Sequence, residues 1–211
     1  MSNGNSAASN KKNATATTGD DLGFSLAKLN GKASTVTLGG VAEAGATVSI
    51  LDGRGNVIGS TTADRNGEWQ FKTGKVSGIQ SFGISMTGRD GIVRTTTDTA
   101  IVGTMGGEII QDVSGQDNIL SGGQGIDRFV FGNVFGRDII TDFIPGYGTH
   151  EVIQFNLNTF SDYAAVMANA TQVGNNVVID AGNGNTLTLV GIQRADLKDV
   201  NFAFFGDPLP M

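Results

Sequence analysis

The chain lacks cysteine, and it has only one histidine, His150, and three prolines among 211 residues. Without cysteine it holds no disulfide framework and no thiolate metal site, and one histidine excludes most histidine-based metal sites. So few prolines, with no Gly-X-Y period, exclude a collagen-like chain. No apolar run approaches the roughly 18 residues that a membrane helix needs, so we expect no membrane span.

Glycine, by contrast, is abundant: 32 of the residues are glycine, which is about twice the ordinary frequency. Glycine inside a helix costs about 1 kcal/mol relative to alanine, so long helices are disfavoured. Frequent glycine instead favours turns between short strands. Composition therefore predicts an all-β, turn-rich protein.

The charge is distributed unevenly along the chain. Residues 1–103 contain 10 Lys or Arg and 8 Asp or Glu, a net charge of +2, whereas residues 104–211 contain 4 and 12, a net charge of −8. The acidic half should repel nucleic acid and anionic membranes, so we expect no nucleic-acid partner. It suits a hard cation that takes oxygen ligands, although acidity can also serve solubility alone.

The sequence divides into three segments. Residues 1–21 are polar and are predicted to be a disordered tail without the apolar core of a secretory signal peptide. Either the protein is cytosolic, or its export signal lies elsewhere, or this tail is a linker. Residues 22–103 and 104–211 are predicted to be two β-rich domains.

Residues 22–103 show the alternation of strands that bury one face. Buried and polar residues alternate around Val36 and Leu38, Val48 and Ile50, Trp69 and Phe71, and Phe82, Ile84 and Met86. Turn-forming pairs such as Asn66-Gly67 separate about seven strands, which predicts a β-sandwich. Residues 42–50 and 64–69 resemble the A-x-A-G-A-x-V-x-I strand and D-x-N-G-x-W hairpin of bacterial immunoglobulin-like domains in surface and secreted proteins. Trp69 is interpreted as a core residue, and Asp64 and Asn66 as turn formers.

Residues 104–211 contain a different set of elements. Strands are predicted at 128–131, 138–143, 151–155, 176–181, 185–190 and 201–205. The best helix candidate is 161–170, with Ser161 as its cap, and a short second helix is predicted at 195–200. Asn183-Gly184 marks a hairpin.

One motif in this segment points to metal binding. Residues 122–130, GGQGIDRFV, fit the nonapeptide G-G-x-G-x-D-x-U-x of calcium-binding parallel β-rolls, where U is apolar. In such a repeat the glycines let backbone oxygens converge, here those of Gly122, Gln124 and Gly125, and Asp127 adds a carboxylate. Calcium takes six to eight oxygens, so a second turn on the same edge must contribute.

The partner turns are degenerate copies of this repeat. Upstream, the acidic position falls on Asp117 when counted from Gly115, or on Asn118 when counted back from Gly122. Gly106-Gly107 lie 16 residues before Gly122-Gly123, on the same predicted edge, and downstream Asp138 follows a half-repeat. We therefore predict one or two calcium sites at these residues. The alternative is a vestigial roll without metal.

A longer stretch, GGQGIDRFVFG (122–132), FGRDIITDFIPG (135–146) and residues 161–204, resembles the C-terminal region of serralysin-type repeats-in-toxin proteins of Gram-negative bacteria. The resemblance implies a calcium-filled parallel β-roll with a β-rich cap. It also implies export through type I secretion machinery that reads an uncleaved C-terminal signal. The chain departs from the family at residues 150–153, His-Glu-Val-Ile, and in its few repeats. Residues 206–211 also extend past the terminal apolar strand.

The sequence does not contain a complete motif of a zinc protease, a serine hydrolase or a phosphate-binding enzyme. His150-Glu151 begins an H-E-x-x-H zinc motif, but residue 154 is glutamine and no second histidine exists. No G-x-S-x-G turn or phosphate-binding loop occurs. The twelve acidic residues of 104–211 could supply the carboxylate pair of a glycosidase, but most of them fall in predicted turns. We expect no enzymatic activity.

These inferences combine into one prediction. The chain is an all-β protein, an immunoglobulin-like sandwich followed by a short parallel β-roll with a β-rich cap and one or two short helices. It is predicted to be a secreted, non-catalytic calcium-binding protein that binds a surface, matrix or polysaccharide ligand, with Tyr147 and Tyr163 as candidate ligand aromatics. The alternative is a C-terminal targeting or accessory module of a larger secreted protease or polysaccharide-active enzyme.

Overall fold

The fold was analysed in a computed structural model, which describes residues 22–148 and 150–206. The predicted tail at residues 1–21 and the end of the C-terminal extension lie outside these residues. Elements in chain order are β1 Gly23–Asn30, β2 Thr35–Val41, β3 Thr47–Asp52, β4 Val57–Thr62, β5 Glu68–Lys75, β6 Gln80–Thr87, β7 Val93–Thr95, β8 Thr99–Val102, β9 Ile109–Gln111, β10 Asn118–Ser121, β11 Arg128–Phe131, β12 Arg137–Ile140, β13 Val152–Asn156, α1 Tyr163–Ala168, β14 Ala170–Val173, β15 Asn176–Gly182, β16 Asn185–Leu189 and β17 Phe202–Phe205. The predicted all-β class is confirmed.

Strands β1 to β8 form the immunoglobulin-like sandwich. One layer has the order β1-β2-β5, and the other contains β4, β3, β6 and β8, with β7 paired to β6. The predicted alternation holds, because Val36, Leu38, Val48, Ile50 and Trp69 are all buried between the layers. The Trp69 ring fills this core, and its Nε1 donates a hydrogen bond to the Val41 oxygen at 3.1 Å. Asp64 forms the turn between β4 and β5 by accepting hydrogen bonds from the Asn66 and Glu68 amides.

The parallel roll begins at β8. Strands β8, β10, β12 and β16 pair in parallel in one sheet, while β9, β11, β13 and β17 pair in parallel in a second sheet. The chain alternates between the two sheets from β8 to β13, so each coil contributes one strand to each. A phenylalanine-rich core that includes Phe129, Phe131, Phe135 and Phe155 fills the space between them.

The sandwich and the roll share one sheet. Strand β8 pairs antiparallel with β6 of the sandwich and parallel with β10 of the roll, which produces a continuous ten-stranded sheet. Neighbouring residues of a strand point to opposite faces. Accordingly, Ala100 and Ile119 belong to the sandwich core, whereas Ile101 and Leu120 belong to the roll core.

Several predicted boundaries are wrong, each for a local reason. Strand β12 ends at Ile140, not 143, because Thr141 bonds to the Ala27 oxygen and Asp142 caps a neighbouring turn. Helix α1 begins after Asp162, not Ser161, since the Asp162 carboxylate accepts the Ala165 amide at 2.8 Å. The second predicted helix is instead two short 3₁₀ turns, Arg194–Asp196 and Asp199–Asn201, separated by the buried, extended Leu197.

Candidate cation sites at the two edges of the roll

The candidate site residues lie where the chain crosses between the two sheets of the roll. We call the turns at residues 103–108, 122–127 and 141–151 the first edge, because each leads from the ten-stranded sheet to the four-stranded sheet. The turns at residues 112–117 and 132–136 lead back and form the second edge. The repeat GGQGID is the middle turn of the first edge.

Glycine allows the first two turns of the first edge to pack backbone against backbone. Gly123 and Gly125 have φ values of +95° and +112°, in the left-handed region that favours glycine. A Cβ on Gly123 would lie 2.2 Å from the Thr104 oxygen, and one on Gly125 would lie 2.1 Å from the Gly106 oxygen. The carbonyl oxygens of the 103–108 turn therefore face the repeat turn directly.

Asp127 is the buried carboxylate of the repeat turn, with 1% of its surface exposed. Its Oδ1 accepts a hydrogen bond from the Glu108 amide at 2.8 Å, in the turn above. Its Oδ2 has no hydrogen-bond partner. A Cβ on Gly122 would lie 2.3 Å from that oxygen, so the carboxylate fits only over a glycine.

Two further acidic residues lie level with Asp127 on neighbouring strands. Arg128 pairs with both Ile109 and Val152, which places Glu108 and Glu151 beside Asp127. Glu108 caps its own turn through the Thr104 amide and hydroxyl, and Glu151 accepts the Ile144 amide at 2.9 Å. Burial and the charge of Glu108 raise the pKa of Asp127 to about 6. Burial, with the charges of Asp142 and Asp127, raises the pKa of Glu151 to about 8.

Asp142 closes the repeat turn from the other side. Its carboxylate accepts hydrogen bonds from the Ser121 hydroxyl at 2.6 Å and from the Gly122 and Gly123 amides at 2.9 and 3.0 Å. Burial raises its pKa in spite of these bonds. Asp142 thus fixes the backbone of the glycine pair.

The second edge holds a cluster of buried oxygens with no donor. Asp138 is 1% exposed, and its Oδ1 accepts the amide and the Nδ2 of Asn118 at 2.7 and 3.2 Å. The Asn118 Nδ2 also donates to the Val113 and Gln116 oxygens, so three acceptors fix the orientation of this side-chain amide. The Oδ1 of Asn118 and the Oδ2 atoms of Asp138 and Asp112 are buried without a hydrogen-bond partner.

The pKa values on the second edge reflect this burial. Burial raises the pKa of Asp138 to about 8, partly offset by the Asn118 hydrogen bonds and increased by the charges of Asp112 and Asp117. Burial raises the pKa of Asp112 to about 6. A buried carboxylate normally has a positive partner, yet neither of these two forms an ion pair within residues 22–148 and 150–206.

The structure distinguishes Asp117 from Asn118 as candidates for the acidic position of the repeat. Asn118 lies two residues before the buried Leu120, as Asp127 lies two residues before Phe129. Asn118, the residue found by counting back from Gly122, therefore occupies the acidic position of the repeat. Asp117 forms an ion pair with Arg137 at 2.5 Å, and its Oδ1 accepts the Arg137 amide. The Asp117 carboxylate is therefore committed to Arg137.

The chemistry of these residues fits calcium. The unpartnered atoms are carboxylate and amide oxygens, which are the ligands that calcium prefers. Residues 22–148 and 150–206 contain no group of three or more acidic or histidine side chains arranged to hold a metal. A cation at Asp127 would therefore take backbone oxygens as well. The Gly106 oxygen faces Gly125 of this turn, whereas the Thr104 oxygen already accepts the Gln124 amide at 2.9 Å.

Sequence reasoning missed four of these acids, Asp112, Asp142, Glu108 and Glu151. A signal for two of them was present, because Glu108, Asp127 and Glu151 each lie two residues before a buried apolar residue of a short strand. Asp112 had no such signal. It stands at the start of a degenerate turn, and only the fold brings it near Asp138.

The tyrosines differ in their surroundings. Tyr147 is 71% exposed. Tyr163 packs on Phe202 with ring centroids 5.8 Å apart, and its hydroxyl donates to the Leu197 oxygen. Tyr163 is a packing residue. In the described part of the chain, no helix is both long and apolar enough to cross a membrane.

Comparison with protein families gives a match for the sandwich part of the chain. The search of curated proteins found no relative of the chain. Among solved structures, the extracellular lipase LipA from Serratia marcescens is similar with a TM-score of 0.29 and 17% identity, over 87% of this chain and 32% of the lipase. The chain thus spans about a third of that lipase. Residues 25–102 match the bacterial Ig domain family, and the two-layer sandwich of β1 to β8 agrees with that match.

Proposed function

We propose that this protein is a secreted, non-catalytic binding module whose roll is stabilised by calcium at its two edges. One site involves Asp127 with the oxygens of the 103–108 and 122–127 turns. The other involves Asp112, Asn118 and Asp138. The observation that supports the proposal is the set of buried oxygens without a hydrogen-bond partner, all of which belong to these residues.

Burying these carboxylates costs free energy unless they are paired. An ionised carboxylate removed from water needs a partner, and without one its pKa rises until it is neutral. A divalent cation supplies that partner. Binding to the folded chain alone also stabilises the fold by mass action, so the roll would gain stability where calcium is abundant, as it is outside the cell.

The proposal also includes secretion and the binding of an extracellular ligand. The bacterial Ig domain and the sequence resemblance to repeats-in-toxin proteins both suit an extracellular module. The resemblance adds export through type I secretion machinery. The bound partner would be a surface, matrix or polysaccharide ligand, whether the module acts alone or attached to a larger secreted enzyme.

Thermal unfolding with and without calcium tests the proposal. We expect calcium to raise the Tm, because a site at a hundredfold excess over its Kd contributes about 2.7 kcal/mol. For a protein of this size that corresponds to roughly 5–10 °C. Magnesium should have a smaller effect, because it demands a rigid octahedron and retains its waters.

Two variants and a control assign the effect to the sites. Asp127→Asn and Asp138→Asn should each lose part of the calcium-induced shift while leaving the cation-free Tm equal or higher, because each replaces a carboxyl group whose ionisation is opposed by burial with a neutral amide. Asp196→Asn changes an exposed acid in a 3₁₀ turn and should leave the shift intact. A Tm that does not respond to millimolar calcium would overturn the proposal.

A further inference from the structure

The lysines of the sandwich lie together on its three-stranded layer. Strands β1, β2 and β5 and the turn at residues 31–34 contain four lysines and one acid, Glu68, which leaves a net charge of +3. All four lysines are exposed, and none forms an ion pair within residues 22–148 and 150–206. We call them the lysine face: Lys28, Lys32, Lys72 and Lys75.

Alternation along the strands turns two of these lysines away from the core. Ala27 on β1 and Phe71 on β5 pack in the sandwich core, so the residues that follow them, Lys28 and Lys72, point outward. Both lysines pair with Thr37 of β2, one from each side. Neighbouring strands are about 4.8 Å apart, so the Cα atoms of the two lysines lie about 10 Å apart across the threonine.

The other two lysines extend this row towards one end of the layer. Lys75 pairs with Thr35, which lies two residues before Thr37 on β2. The Asn30 side-chain amide donates hydrogen bonds to the hydroxyls of Thr35 and Thr37 at 3.2 and 3.0 Å, so both threonines lie on the outer face. Lys32 lies in the 3₁₀ turn that joins β1 to β2 at this end. The four lysines therefore form one continuous patch.

Neutral side chains surround this patch. A Cβ on Gly39 would lie 3.3 Å from the Gln70 Cγ and 3.4 Å from the Leu26 Cβ, so these two side chains lie side by side over the glycine. Gln70 is exposed, and its side-chain amide has no hydrogen-bond partner among residues 22–148 and 150–206. On the roll side, a Cβ on Gly31 would lie 3.3 Å from the Gln124 Nε2, so the adjoining turn presents an amide. None of the exposed large apolar side chains in the described part of the chain belongs to β1, β2 or β5.

Acidic residues lie at the opposite end of the layer. Glu68 and Gly23 both pair with Val41, which is four residues, or about 13 Å, along β2 from Thr37. A Cβ on Gly23 would lie 3.1 Å from the Asp98 Oδ2, so Asp98 belongs to this end as well, and counting it still leaves a net charge of +2. Charges are screened over about 8 Å at physiological salt. A ligand on the lysine face therefore experiences the lysines more strongly than these acids or the net charge of −6 of the whole chain.

We propose that the lysine face binds an anionic polysaccharide, whose carboxylate or sulfate groups pair with the lysine ammonium groups. A linear acidic polysaccharide repeats its charge along the chain, as the lysines repeat it across the layer, and its hydroxyls suit the Thr37 hydroxyl and the Gln70 amide. Single-stranded nucleic acid is disfavoured, because its bases need aromatic platforms for stacking, and this face exposes none. A membrane is disfavoured as well, because the face lacks an apolar anchor. This inference rests on the proposed role as a binding module and gives that role a ligand class.

Calorimetric titration of the whole chain with an oligogalacturonate nonamer tests the inference. Its fully methyl-esterified form keeps the sugar chain and removes the charges, and a chelator in the buffer prevents calcium from bridging the carboxylates. We expect the acid form to bind at least tenfold more tightly than the ester, with an affinity that falls as salt is added. The double variant Lys28→Gln, Lys72→Gln should lose at least tenfold in affinity for the acid form.

A control variant separates the lysine face from the charge of the whole chain. Arg54→Gln, Arg89→Gln removes two exposed cations from turns of the other layer, so both double variants have a net charge of −8, and this one should bind like the parent chain. Equal affinity for acid and ester, or equal losses in the two double variants, would overturn the inference. Tighter binding of an oligodeoxythymidylate or of phosphatidylglycerol vesicles than of the oligogalacturonate would also overturn it.

The same variants distinguish this inference from the calcium proposal. The titrations are made without calcium, so they do not depend on the roll edges. The lysine variant should retain the calcium-induced rise in Tm. Loss of oligogalacturonate binding with an intact calcium response therefore concerns the lysine face alone, and a chain that binds the oligogalacturonate but does not respond to calcium contradicts only the calcium sites.

Discussion

Individual residues at the roll edges depart from the usual rule that buried polar atoms have partners. Asp112, Asn118, Asp127 and Asp138 each retain one buried oxygen without a donor. A neighbouring glycine makes room in one case, because the Asp127 carboxylate lies where a side chain on Gly122 would be. The sequence predicted three of these four residues, since they occupy or adjoin the repeat position, and it could not predict Asp112, whose role depends on the stacking of separate coils.

The contact between the first two turns of the first edge predicts the effect of a single methyl group. Gly125→Ala would place a Cβ against the Gly106 oxygen, in a backbone conformation that disfavours alanine. Gly55→Ala shares that conformation, with φ of +82°, but meets no atom within 4 Å. We expect Gly55→Ala to cost about 1–2 kcal/mol in unfolding free energy, and Gly125→Ala to cost at least about 2 kcal/mol more. Urea denaturation measures both, and equal losses would contradict the close packing of these turns.

Each edge of the roll brings together acidic residues from successive coils. The first edge aligns Glu108, Asp127 and Glu151, and the second edge brings Asp112 near Asp138. Of the strands that flank these turns, the sequence predicted β11, β12 and β13, but it did not predict β9 or β10, which are only three and four residues long. It placed the end of β12 and the start of α1 wrongly, because Asp142 and Asp162 act as caps, and a cap depends on which amide lies nearby.

These edges predict how stability depends on pH without calcium. An acid whose pKa is higher in the folded chain binds more protons when folded, so unfolding free energy falls as pH rises from its unfolded pKa to its folded pKa. For Asp112 and Asp127 that window ends near pH 6, and for Asp138 and Glu151 near pH 8. We expect the cation-free Tm to be at least about 5 °C lower at pH 8.5 than at pH 5.

Two further thermal melts, of Asp138→Asn and of the parent chain in saturating calcium, serve as controls for this pH dependence. Asp138→Asn removes one of the shifted groups, so its Tm should fall less between the two pH values than that of the parent chain. Saturating calcium should reduce the fall in the parent, because the ionised acids then have a partner. A cation-free Tm that is constant or rises over this range would contradict the burial of these acids.

At the scale of the whole molecule, one ten-stranded sheet contributes residues to two hydrophobic cores. Ile119 and Leu120 are consecutive, yet the first packs in the sandwich and the second in the roll. The sequence predicted both architectures, because alternation and repeat are local patterns. It could not predict that β8 joins them, since pairing with β6 and β10 is decided by contacts far apart in the chain.

Calorimetric titration of the chain with calcium tests the central claim most directly, because it counts the ions bound at the two edges. We predict two calcium ions per chain, one fewer after Asp127→Asn, one fewer after Asp138→Asn, and none in the double variant. A parent chain that binds no calcium, or a double variant that binds as the parent does, would contradict it.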